Sequence, residues 1–142
     1  AEVRSMDVAA AAAALRVHVS DSRVAVAACK RLAILCKEVH NRQPAAEAGA
    51  IEAIVAAMQA YPQHSGVQKN GCGVLSLVCY GTDAAALARK QRAADAGGIE
   101  LFVAAMLAHP QVADVQQGGC MAMVNVCFGS DAAGIARKQR AA

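Results

Sequence analysis

Apolar side chains recur along this chain at helical spacing. Ile51, Ile54, Val55 and Met58 stand at i, i+3, i+4 and i+7 of one segment, the signature of one buried helix face. Val67, Cys72, Leu75, Val78 and Cys79 form a second stripe. Val115, Gly119, Cys120, Met123, Val126 and Cys127 repeat it further on. Strict alternation, which would indicate strands, is absent from these segments. The punctuation between stripes predicts where the helices begin and end. Gly49 and Gly97 fit the left-handed position that closes one helix before the next. Pro62 and Pro110 break the chain after it. Thr82–Asp83 and Ser130–Asp131 are N-cap pairs. Each unit therefore reads as three helices: a first through AAALARKQRAA or AAGIARKQRAA, a second over 50–60 or 98–108, and a third starting near Ser22, Ser65 or Ala113.

Self-comparison strengthens that reading. Residues 47–94 align without gaps to 95–142, with 28 identities in 48 pairs. EAGAIEAIVAAM becomes DAGGIELFVAAM, and GTDAAALARKQRAA becomes GSDAAGIARKQRAA. The first 46 residues are a diverged copy in which Val24, Cys29 and Cys36 precede Val67, Cys72 and Cys79 by 43 positions. The shortening falls in KEVHNRQP. We therefore read residues 1–142 as one domain of three units: 1–46 lacking a clear first helix, then 47–94 and 95–142. No such unit can bury its stripe alone, so the units are expected to stack into an all-α superhelix, an α-solenoid with its third helices along one face.

Composition agrees with helices: 36 of the 142 residues are Ala and only 3% are aromatic, and Ala is the best helix former. A mean hydropathy of +0.31 excludes a disordered chain. The longest apolar run, Val8 to Leu15, is too short to span a bilayer. The chain opens on Ala1 and stops at ARKQRAA, where another EAG-type segment would follow. It is expected either to continue beyond Ala142 or to have that end covered by a partner.

Charge and cysteine spacing narrow the chemistry. The net charge is +3, and six of the 14 Lys and Arg cluster in two ARKQR copies near Asp83, Asp95 and Asp131. They read as solvated helix faces, not as a nucleic-acid patch. With Asp at the N-cap, Arg89, Arg92, Arg137 and Arg140 do not suggest an anion site. The six cysteines form three pairs, Cys29/Cys36, Cys72/Cys79 and Cys120/Cys127. Seven helical residues separate partners by roughly 10.5 Å along the axis, beyond the ~7 Å limit for a disulfide. All six are expected to be small buried thiols in a reducing intracellular compartment, cytoplasmic, nuclear or organellar. No zinc spacing, cofactor motif or catalytic motif is present. His18 and His109 share a register position with Tyr61 and read as caps of the second helices; His40 and His64 are scattered. No catalytic residue, metal ligand or cofactor site is assigned.

EAGAIEAIVAAM and DAGGIELFVAAM resemble the second helix of armadillo repeats, preceded by the family's turn glycine. VQQGGCMAMVNVC resembles the third helix, with the family's Asn at Asn125. The resemblance implies a protein-binding surface along the third helices, made here by Lys30, Ile34, Gly73, Leu77, Met121 and Asn125. Family members that clamp basic peptides use repeated Asn and Trp on that helix. Here the Asn position holds Ile34, Leu77 and Asn125, and the Trp position holds Lys30, Gly73 and Met121. The expected function is accordingly a non-catalytic scaffold or adaptor that holds a helix or apolar segment of a partner protein. A structural subunit docked in a larger assembly is the alternative, and an import-type peptide receptor is less favoured.

Overall fold

Short acidic side chains start three of the described helices. In this computed structural model, which describes residues 3–128 and 132–142, Asp7 accepts a bond from the Ala10 amide, Asp21 from that of Arg23 and Asp83 from that of Ala86. They cap α1 (Val8–Val17), α2 (Ser22–Cys36) and α6 (Ala84–Asp95). His64 Nδ1 accepts from the Val67 amide at the start of α5 (Ser65–Val78). The matching cap expected at Ser130–Asp131 lies outside the described residues. The remaining helices are α3 (Arg42–Glu47), α4 (Ala50–Ala60), α7 (Gly98–Ala108), α8 (Ala113–Cys127) and α9 (Ala132–Ala141). Among the described residues the chain is all-helical, with no strand.

Gly49 and Gly97 form the corners that make these short helices possible. Their φ values are +82° and +96°, a region that costs an L side chain ~1–2 kcal/mol. Each glycine amide bonds back to the preceding helix, at Ala46 O and Ala94 O, while its own carbonyl accepts the first bond of α4 or α7. One residue thus closes one helix and opens the next.

The helices pack in rows. α4 contacts α1 and α7, α5 contacts α2 and α8, and α3, α6 and α9 run beside them. The core lies between the first two rows. Leu15, Leu32, Ile51, Ile54, Met58, Leu75, Ile99 and Phe102 are all buried there, each contributing ~1.5–3 kcal/mol by leaving water. Small residues set the spacing. A Cβ on Gly71 would stand 2.7 Å from the Met58 side chain, and one on Gly119 would stand 2.7 Å from Met106. These two glycines therefore let α5 approach α4, and α8 approach α7, with methionine filling the seam.

Candidate partner-binding surface

The C-terminal carbonyls of α2, α5 and α8 need partners, and basic residues of α3, α6 and α9 supply them. Arg42 Nε donates to Cys36 O at 2.9 Å, and Lys90 Nζ donates to Cys79 O at 2.6 Å. Arg89 Nε donates to Val78 O and Arg137 Nε to Val126 O, both at 2.7 Å. Two of these guanidinium groups then reach an earlier helix, Arg89 to Gln43 of α3 at 2.8 Å and Arg137 to Gln91 of α6 at 2.7 Å. Arg89, Lys90 and Arg137 are buried. This corrects the expectation that ARKQR is a solvated face: Arg92 pairs with Glu52 and Arg140 with Glu100 on the surface, and Lys138 is exposed, but the other three cations are not. The reason is electrostatic, since cations at a helix C-terminus face the negative end of its dipole.

Two further expectations change. Cys29, Cys36, Cys72, Cys79 and Cys127 are buried, but Cys120 is exposed. Its counterpart Cys72 lies against α8, where a Cβ at Gly118 would come within 3.3 Å of it, whereas no described helix covers Cys120. Burial pushes the Cys29, Cys72 and Cys79 thiols up to about 12 and that of Cys36 to about 11. His109 is the C-cap residue of α7, yet its ring does not turn back on its own helix. Nε2 lies 2.9 Å from Pro62 O, so that nitrogen carries the proton and donates. Tyr61 uses its hydroxyl in the same way, donating to Val19 O at 2.8 Å. At this register position the rings of Tyr61 and His109 thus tie their loops to earlier ones at Val19 and Pro62.

Between α5 and α8 lies an apolar groove of about 450 Å³, lined by Arg42, Ser76, Leu77, Tyr80, Cys120, Met121, Val124 and Asn125. Of the six surface residues read from the sequence, Leu77, Met121 and Asn125 meet here. Gly73 lies in a neighbouring shallow depression that also reaches Met121, flanked by the Lys69–Asp114 ion pair at 3.0 Å. Lys30 and Ile34 are exposed on α2, away from both. Asn125 does not present its amide outward: Nδ2 donates to Ser76 O at 2.9 Å and to Ser76 Oγ at 2.8 Å. Leu77 is half-buried and packs on the core.

Sequence reasoning missed Arg42, Tyr80 and Val124. The first two were within reach. Arg42 aligns with Lys90 at the 48-residue offset, Tyr80 aligns with Phe128, and the two cations sit 5.4 and 5.3 Å from the centres of these rings. The diverged KEVHNRQP connection hid that register.

Among the described residues no group of His, Cys, Asp or Glu is placed to hold a metal ion, and no helix is long and apolar enough to cross a membrane. Comparison with protein-family models, with curated proteins and with solved structures finds no match to this chain.

Proposed function

We propose that this chain is a protein-interaction scaffold of armadillo type, an α-solenoid of three units that holds an amphipathic helix or apolar segment of a partner in the groove between α5 and α8. The observation that carries this reading is the groove itself: apolar walls from Leu77, Tyr80, Met121 and Val124, with the largely buried Arg42 also in its lining. Met121 and Tyr80 are half or more exposed, and such side chains accommodate an apolar helix face well. The helix rows and the recurring loop ties support the stacked architecture.

A Lys/Arg-rich peptide is a poor fit. The amide of Asn125 is engaged with Ser76, and Arg42 sets a positive charge where such a peptide would lie. We assign the chain no catalytic role and no import-type cargo.

The test is selection of binders from a displayed library of amphipathic helical peptides. Enriched peptides should carry apolar residues at i, i+3/i+4 and i+7. Leu77→Glu with Met121→Glu should weaken their binding at least tenfold, a loss of about 1.4 kcal/mol, with helical content unchanged. Peptides that bind this double variant as well as the wild type would refute the groove as the site.

A further inference from the structure

The interior interfaces of this fold recur in register, and the two outer faces are the unmatched halves of the same interface. Ser76 on α5 is 3% exposed and receives Asn125 from α8. The residue equivalent to Ser76 in the last unit is Val124, and it is 67% exposed. The residue equivalent to Asn125 in the first unit is Ile34, and it is 56% exposed. A polar pair inside is thus replaced by two apolar halves at opposite ends.

The second-helix row behaves likewise. Arg16 and Gln59 lie against the corners at Gly49 and Gly97, with Arg16 Nη1 donating to Ala48 O. Their equivalent, Leu107, is 75% exposed, and the residue in register with those corner glycines at the other end is Met6. The loop ties also leave one of each half. Val19 O receives Tyr61 and Pro62 O receives His109; Pro110 O and the His18 ring are the remaining acceptor and donor of that series.

At the 48-residue offset the change runs from polar to apolar, since Leu107 replaces Gln59 and Val124 replaces Ser76.

We propose that a second copy of this chain docks head to tail, the α7–α8 face of one copy receiving the α1–α2 face of the next. Val124 then packs on Ile34, Leu107 on Met6, and the His18 ring donates to Pro110 O. The interface continues the internal one in register, so it is heterologous and propagates instead of closing on a two-fold axis. It rests on the internal contacts and not on the occupant of the groove.

Sedimentation of the purified chain over a range of concentrations tests this directly. The wild type should show a weight-average mass that climbs past the dimer. Ile34→Glu blocks one face and Val124→Glu the other, so each variant alone should remain monomeric. An equimolar mixture should form one-to-one heterodimers and nothing larger, because each variant retains the face the other lacks. Circular dichroism confirms folding, and Leu107→Glu replaces Val124→Glu should the latter misfold. A wild type that stays monomeric at several hundred micromolar would overturn the proposal. So would a mixture that fails to pair, or a closed dimer abolished by either variant and not restored by mixing. A monomeric wild type would leave the peptide test of the groove unaffected.

Discussion

The ammonium of Lys90 lies 5.3 Å from the centre of the Phe128 ring. It donates at the same time to two carbonyls on different helices, Cys79 O at 2.6 Å and Asn125 O at 2.7 Å. One cation thereby joins the end of α5 to the last turn of α8. Lys138, its counterpart in the last ARKQR, is exposed. Lys90→Met should cost about 2–3 kcal/mol, the loss of buried bonds from a charged donor. Lys138→Met should change stability by less than about 0.5 kcal/mol. Urea unfolding of the two variants measures the contrast; equal effects would show that the burial of Lys90 is not what matters.

The buried thiols set an alkaline limit to stability. Their folded values of about 12 at Cys29, Cys72 and Cys79 lie above the ordinary 9.0. The unfolded chain therefore releases these protons first, and it binds fewer of them from about pH 9 to 12. The contribution is complete below pH 9 and is withdrawn above it, at up to about 1.4 kcal/mol per pH unit for each thiol. Lys90, lowered by burial from 10.5, acts in the opposite direction below that value, but it is one group against five thiols, since burial raises Cys36 and Cys127 as well. Unfolding midpoints should drop steeply between pH 9 and 11, and Cys72→Ala should make that drop shallower.

Thiol labelling should separate the cysteines by cover. Cys120 is exposed, with its Sγ 3.9 Å from the Met106 sulfur, and the other five are buried. A disulfide reagent added to the dilute native chain should react rapidly at one thiol and slowly at the rest. Cys120→Ser should remove the fast phase. A fast phase that survives this change would mean that a helix end opens readily.

Glycines in this chain should respond to alanine with opposite signs. Gly49→Ala meets only Arg16 Nη1 at 3.6 Å, so its cost is the left-handed backbone alone, about 1–2 kcal/mol. Gly73 stands inside α5, with nothing within 4 Å of a Cβ. Gly73→Ala should therefore stabilise by roughly 0.5–1 kcal/mol. Urea midpoints moving in the same direction would contradict the backbone argument.

Much of the backbone is legible in the residues alone. The second helices run over 50–60 and 98–108, as their apolar spacing predicts, and the third helices start at Ser22, Ser65 and Ala113. Gly49, Gly97, Asp83 and the prolines carry that information locally, which is why it survives in a single sequence. Side-chain destinations do not follow so easily. Arg89 and Lys90 look like surface residues because charge patterning reports what a side chain is, whereas their burial depends on which carbonyls a neighbouring helix leaves open. Cys120 misleads for the same reason, since its sequence context matches Cys72 and only the presence of a covering helix separates them. Of the surface residues, Leu77, Met121 and Asn125 converge on the groove while Lys30 and Ile34 stand apart, because a register repeat fixes a helix face but not which neighbours share it.

The ties from Tyr61 to Val19 and from His109 to Pro62, with those from Arg89 to Gln43 and Arg137 to Gln91, each join a residue to one 42 to 47 positions earlier in the chain. Tension applied at the two ends would load them in series. Each tie is a hydrogen bond or two, with no covalent cross-link behind it. Under a steady pull the molecule should lengthen in successive yielding events, and on release each tie can re-form from its own neighbours, as the links of a spring do.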